Sequence, residues 1–170
     1  MSDILYTYRD FKIDLNHLIQ DMADANYKPE HIVGVVRGGL PLGVHLSNYY
    51  NIPMTTILWQ TRDGGNKQYD MDVVNETILR ERKQVLLVDD INDSGLTFTE
   101  LLEFWCHYDS HIINQYLRTA CLLTKSISTF NVDFEAKVLD TENWIVFPWE
   151  RMEMASHTTN ERRNNVASRL

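Results

Sequence analysis

Residues 85–97 read VLLVDDINDSGLT. Four consecutive apolar residues, Val85 to Val88, have the pattern of a strand buried on both faces, as in a parallel sheet. The run ends in two adjacent carboxylates, Asp89 and Asp90. Asp93, Ser94, Gly95 and Thr97 follow. A helical period then runs through TFTELLEFWCHY (97–108), with Leu101, Trp105 and Tyr108 on one face. Thr97 and Glu100 have the spacing of a capping box. A short turn from a buried strand into a helix gathers backbone N–H groups that point one way, and the helix dipole adds partial positive charge. Gly95 permits close backbone approach, while Ser94 and Thr97 add hydroxyl donors. The turn is therefore a cradle for a phosphomonoester. Asp89 and Asp90 would repel that phosphate; they suit sugar hydroxyls or a Mg²⁺ ion. Together the two halves describe a ribose 5-phosphate site. Acids that merely end a strand, or hydroxyls that merely cap a helix, would explain either half alone. Here both occur in order behind one buried strand.

The flanking sequence supplies the sheet in which this turn would sit. Residues 10–26 carry apolar side chains at helical spacing, and Lys28-Pro29 ends that period. HIVGVV (31–36) is a second continuous apolar run, followed by Arg37-Gly38-Gly39 and a helix, LPLGVHLSNYY (40–50), with Pro41 in its first turn. MTTILW (54–59) is a β-branched strand. TRDGGNKQYD (61–70) has no apolar period and reads as a polar loop. DVVNETILRERK (72–83) suits a short helix. NQYLRTACLLT (114–124) and DFEAKVLD (133–140) are further strand candidates, and ENWIVFPWE (142–150) is dense in aromatics. Strands alternating with helices give an α/β class: a central, mostly parallel twisted sheet flanked by helices. Ligands in such sheets lie beyond the carboxyl ends of the strands, where both RGG and DDINDSGLT fall.

The chain has 170 residues, 44% of them hydrophobic, enough for one domain with a full core. A net charge of −8 argues against a generic electrostatic grip on nucleic acid or anionic lipid. Two cysteines without framework spacing fit a reducing cytosol and a cytoplasmic location. No run reaches the length of a membrane span. His107, His111 and neighbouring Cys106 resemble a partial metal site, but Asp109-Ser110 should end the helix that carries them and no fourth ligand is evident.

VLLVDDINDSGLT resembles the signature of the type I phosphoribosyltransferases. VVRGGLPLG (35–43) is similar to that family's pyrophosphate loop. The resemblance covers roughly residues 30–150. It implies binding of 5-phosphoribosyl 1-pyrophosphate (PRPP) with Mg²⁺. Ser94, Gly95, Leu96 and Thr97, with Asp93, would hold the 5-phosphate. Asp89 and Asp90 would face the ribose hydroxyls and the metal. Arg37, Gly38 and Gly39 would take the leaving pyrophosphate, and the family pattern implies a non-proline cis peptide at Arg37–Gly38.

Three features are similar to the 6-oxopurine enzymes of the family, those for xanthine, guanine and hypoxanthine. Asp93 stands where those enzymes place an acid beside purine N7, a candidate general base. Lys125 matches the lysine that reaches the exocyclic O6. ENWIVFPWE resembles their hood, in which Trp144 would stack on the base and the Ile145 carbonyl would accept from a 2-amino group. Trp144 and Trp149 also suit an ordinary aromatic core. The resemblance thus implies purine salvage, with Arg37 and Asp93 as catalytic residues and a purine nucleotide and pyrophosphate as products. Loop 61–70 would act as a lid, from which Arg62 or Lys67 could reach the pyrophosphate. The expected organisation is one domain over residues 1–156, with a small hood from about 1–10 and 133–156, and a flexible polar tail over 157–170. Relatives are dimers or tetramers, so a homo-oligomer is implied. Adenine or a pyrimidine as acceptor, and a non-catalytic PRPP-binding regulator of the same fold, stand as alternatives. The basic tail (Arg162, Arg163, Arg169) is a weak signal for the last.

Overall fold

The computed structural model describes residues 3–60, 67–68 and 74–150. Loop positions 61–66 and 69–70, including Arg62, and the tail 157–170 lie outside the described residues. The chain forms two compact units: Ile13–Thr141, and Met1–Lys12 together with Glu142–Leu170.

The larger unit is built on a six-stranded sheet of order β4-β3-β2-β5-β6-β7. Its strands are β2 (His31–Val36), β3 (Met54–Trp59), β4 (Lys67–Gln68), β5 (Val85–Asn92), β6 (Leu117–Lys125) and β7 (Phe134–Leu139). Five strands run parallel, and only the two-residue β4 is antiparallel, against the end of β3. The sheet grows outward from β2 to β3, then returns to place β5 on the other side of β2. That reversal is a topological switch point, where open α/β sheets form ligand crevices. The register His31↔Val85 through Gly34↔Val88 puts the RGG turn after β2 and the acids of β5 at the same end of the crevice. β7 is the sheet's edge strand, so residues 134–139 serve the sheet rather than the hood to which the family pattern assigned them.

Helix α1 (Tyr8–Asp24) opens with a true capping box. The Thr7 amide and hydroxyl both donate to Asp10 Oδ2, at 2.9 and 2.6 Å, and the Asp10 amide donates back to Thr7 Oγ1. Helix α2 (Leu40–Tyr50) buries Leu42, Gly43 and Leu46. It ends at Asn51 in the left-handed region, with the Ile52 and Asn51 amides bonding back to Ser47 and Asn48 carbonyls, a Schellman closure. Residues Val74–Arg80 form a wide π-helical turn in place of the short α-helix expected there, and the Glu81 amide donates to Glu76 O, five residues back.

Helix α3 spans Leu96–Tyr116 and breaks at Asp109 (φ −164°, ψ 94°). The Asp109 carboxylate accepts from the Ile112 amide at 3.0 Å and so caps a second helical segment. The expected helix end at Asp109 is therefore real, but residues 114–116 are helical and β6 begins only at Leu117. The core beneath α3 gathers Phe98, Leu101, Trp105 and Ile113 against Leu87 and Cys121. The buried Trp105 Nε1 finds no partner among the described residues.

The smaller unit pairs β1 (Ile4–Leu5) in parallel with β8 (Ile145–Val146). Phe147 stacks on Trp149 at 5.0 Å, and Tyr6 and Phe11 meet these two rings edge-on. The turn Phe147–Glu150 has Pro148 at its second position, where a fixed φ favours it. It closes through Glu150 N to Phe147 O, and the Glu150 carboxylate accepts from the Phe147 amide.

Candidate active site

At the crevice between β2 and β5, two glycines let two loops meet. A Cβ on Gly38 would lie 2.5 Å from both carboxylate oxygens of Asp90. A Cβ on Gly39 would run into Val88 O and the Asp89 Cα. The RGG turn is therefore pressed against the end of β5 through the side chains it lacks. Asp90 is buried at 6% exposure, with its carboxylate on Gly38. Arg37 is exposed at the start of the turn. The non-proline cis peptide is present, but at Val36–Arg37, one bond before the expected Arg37–Gly38. Val36 is still paired with Leu58, so the cis bond falls at the junction of strand and turn.

Asp89 is half-buried next to Asp90. Desolvation, and then the Asp90 charge, push its pKa well above the ordinary carboxylate range, although its Oδ1 accepts the Asp90 amide at 3.0 Å. No group of three or more His, Cys, Asp or Glu side chains among the described residues could form a metal cage. The acid pair fits an ion that takes one or two carboxylates and completes its shell with substrate oxygens and water, which is the habit of Mg²⁺.

Beyond the acids, β5 turns at Asp93-Ser94-Gly95 into α3. Gly95 is the N-cap residue at φ 90°, a conformation that favours glycine, and no side-chain cap bond closes the helix. Among the described residues no acceptor takes the Thr97 or Phe98 amide; the Leu96 amide reaches only Ser94 Oγ, at 3.4 Å. These amides lie at the start of α3 beside the exposed Ser94 and the half-buried Thr97. The expected capping box is not formed. Glu100 turns aside and accepts from Trp59 Nε1 at 2.9 Å and Lys67 Nζ at 2.7 Å. The partnership with Lys67, then the Trp59 bond, lower the Glu100 pKa.

A second loop, residues 126–131, braces the turn. The Thr129 amide and hydroxyl donate to Ser94 O, and Phe130 lies against Gly95. Asn92, 1% exposed, donates to Phe130 O at 2.8 Å and accepts from Ser128 Oγ at 2.9 Å. Sequence reasoning missed Asn92 and this loop. Their signal is the run of hydroxyls in Ser126-Ile127-Ser128-Thr129 directly after Lys125.

Lys125 and Asp93, proposed from sequence for one end of the base, meet in an ion pair of 2.9 Å. The lysine side chain is 6% exposed and the aspartate 22%. Low exposure strengthens such a pair and raises the cost of leaving either partner alone. Lys67, suggested as a pyrophosphate ligand, instead pairs with Glu100 and lies 4.7 Å over the Trp59 ring.

In the smaller unit Trp144 is 46% exposed, while Trp149 is packed among Phe11 and Phe147. Ile4 donates to Trp144 O, and Tyr6 to Val146 O. Carbonyls alternate along a strand, so the Ile145 carbonyl faces the edge opposite β1. No helix among the described residues is long and apolar enough to cross a membrane.

Among solved structures, the chain is similar to a purine phosphoribosyltransferase from Pyrococcus horikoshii (27% identity, TM-score 0.66, 88% of this chain and 95% of that one). It is also similar to the xanthine-guanine-hypoxanthine phosphoribosyltransferase of Helicobacter pylori (23%, TM-score 0.72, 92% and 99%). A hypoxanthine-guanine phosphoribosyltransferase from Bacillus anthracis shares the fold (20%, TM-score 0.58, 79% and 80%). Comparison with curated proteins returned no match. The sequence matches the phosphoribosyl transferase domain over residues 1–153, in the order and fold just described, and the chain belongs to the type I phosphoribosyltransferase family.

Proposed function

We propose that this phosphoribosyltransferase uses PRPP and a 6-oxopurine base, guanine, xanthine or hypoxanthine, to form a purine nucleoside monophosphate and pyrophosphate. The observation that carries the choice of base is the Asp93–Lys125 pair at 2.9 Å. It sets an acceptor and a cation side by side, matching the N7 and O6 edge of an oxopurine. The amino group of adenine would instead meet the lysine donor to donor.

Each element has a task in the transfer. The Asp93–Thr97 turn anchors the 5-phosphate through the amides of α3 and two hydroxyls. Asp89 and Asp90 accept from the ribose hydroxyls and, with substrate oxygens, are the residues that would hold Mg²⁺. The bound ion supplies charge neutralisation at the leaving pyrophosphate. Arg37 adds a fixed cation there, and Gly38 and Gly39 bring backbone N–H groups close to it. The raised pKa of Asp89, set by desolvation and then by the Asp90 charge, fits this role, because a cation and hydroxyl donors offset both. Lys125 orients the base, so that its nitrogen faces the ribose C1 as pyrophosphate departs. Asp93 receives the proton that leaves the purine as the new bond forms. In the smaller unit, Trp144 and the Ile145 carbonyl are the groups that the family resemblance assigns to stacking on the base and to accepting from a 2-amino group.

The test is incubation with PRPP, Mg²⁺ and each of guanine, xanthine, hypoxanthine and adenine, with pyrophosphate release as the readout. Turnover with at least one oxopurine and little with adenine is expected. Turnover confined to adenine overturns the base assignment, as does the lack of turnover with any of the four bases.

A further inference from the structure

The chain contains two Thr-x-x-acid sequences at helix starts, and they behave oppositely. Thr7 and Asp10 close a reciprocal capping box on α1. Thr97 and Glu100 have the same spacing at α3, yet the box is absent: Gly95 is the N-cap and the helix begins at Leu96, two residues before the start that a Thr97 cap would give. Intrinsic preference does not explain the difference, because glutamate three residues after threonine is a favoured combination for such a box. Glu100 is instead engaged by residues outside α3. Trp59 Nε1 and Lys67 Nζ both donate to the same oxygen, Glu100 Oε2. Those donors sit across from each other on the β3–β4 pair, at Trp59↔Lys67. Trp59 is buried and Lys67 spans its ring, so the two donors hold a fixed position.

We infer that Trp59 and Lys67 act as positioning residues that hold Glu100 away from a latent capping box with Thr97, keeping the first-turn amides of α3 open for the 5-phosphate. Two effects operate together. A released Glu100 can fold back on the helix start, with Thr97 as N-cap, and occupy amides that the phosphate needs. It also leaves an uncompensated carboxylate one turn from the bound anion, where negative charges repel. Paired with Lys67, the same carboxylate is neutralised and turned aside. The inference rests on the reading of residues 93–97 as the 5-phosphate site.

Ribose 5-phosphate binding by calorimetry and PRPP kinetics test it together, on the full chain. Lys67→Met should weaken ribose 5-phosphate binding and raise the KM for PRPP by roughly two- to fivefold, the scale of one charge at a helix terminus, with kcat nearly unchanged. Trp59→Phe, which removes one donor and leaves the ion pair, should give a smaller change of the same kind. The decisive variant is Lys67→Met combined with Glu100→Met, which should return both values to within a factor of two of the native protein. If the double variant stays as weak as Lys67→Met, the lysine acts on the ligand directly and the inference is overturned. It is also overturned if Glu100→Met alone raises KM as much as Lys67→Met does. If the native protein binds no ribose 5-phosphate and turns over no PRPP, the reading of residues 93–97 fails first and the inference falls with it.

Discussion

Replacing Gly38 by alanine probes the contact that joins the two halves of the site. The added Cβ would sit 2.5 Å from both Asp90 oxygens and 2.6 Å from its Cγ. Non-bonded carbon contacts lie at about 3.5 Å or beyond, so the carboxylate must retreat by close to one ångström. The neighbour is the end of a side chain and can rotate, so folding should survive, with a loss of about 1–3 kcal/mol at most. Function should suffer more, because a misplacement of about 1 Å in a positioning group is worth about a hundredfold in rate. Gly39→Ala makes the contrast. There the Cβ meets Val88 O, Val35 O and the Asp89 Cα, all backbone, and none can move without disturbing the central strands. Pyrophosphate release at saturating base, measured beside the thermal unfolding midpoint, separates the two cases. Gly38→Ala should fold and lose about two orders of magnitude in kcat/KM for PRPP; Gly39→Ala should lose folded protein. A well-folded Gly38→Ala protein with native kcat/KM would refute the idea that Asp90 works from its seat on the RGG turn.

Asp89→Asn should stabilise the fold while suppressing turnover, by about 0.5–2 kcal/mol if it behaves as other relaxed functional sites do. Its raised pKa means that the folded state holds the proton more tightly than the unfolded chain, so the native protein loses stability as pH rises above about 4. The advantage of the variant should therefore widen with increasing pH; denaturant midpoints from pH 4 to 8 check the direction, and a gap that narrows contradicts it. Lys125→Met should lower kcat/KM for the base roughly ten- to a hundredfold, the worth of a charged hydrogen bond, and leave the KM for PRPP unchanged. An equal loss on both substrates would show that Lys125 does not select the base. Asn92→Ala removes two buried hydrogen bonds and should cost about 2–3 kcal/mol, seen as a fall of about 4–12 °C in the unfolding midpoint. No fall would mean that loop 126–131 is held without it.

The elements most legible in sequence were those bounded by chain breakers. β2, α2 and β3 lie where the apolar runs and Pro29, Gly39 and Pro53 put them. The turn from β5 into α3 was legible because its determinants are local: a buried strand, a glycine and a helix start in one short stretch. Features set by distant residues were not. The Thr97–Glu100 box is overridden by Trp59 and Lys67, which lie 41 and 33 residues from Glu100 in sequence. The second segment of α3 escaped because Asp109–Tyr116 carries no clear apolar period, and its start depends on one carboxylate, that of Asp109, bonding forward. DFEAKVLD read as a strand, but its place at the edge of the sheet, outside the hood that the family pattern implied, is a property of pairing with β6. The Asp93–Lys125 contact joins the ends of two neighbouring strands, and no local pattern announces it.

That contact also bears on how the protein rejects wrong bases. Asp93 and Lys125 satisfy one another, so neither is a bare charge inviting any polar ring. On the proposed reading the pair meets the edge of the base side by side. An oxopurine offers each member a further partner, O6 to the lysine and N7 to the aspartate. A base lacking the carbonyl leaves the lysine facing nothing that can accept from it. Discrimination would then come less from what the correct base gains than from the vacancy that a wrong one creates, so selectivity should persist even where overall affinity for the base is low.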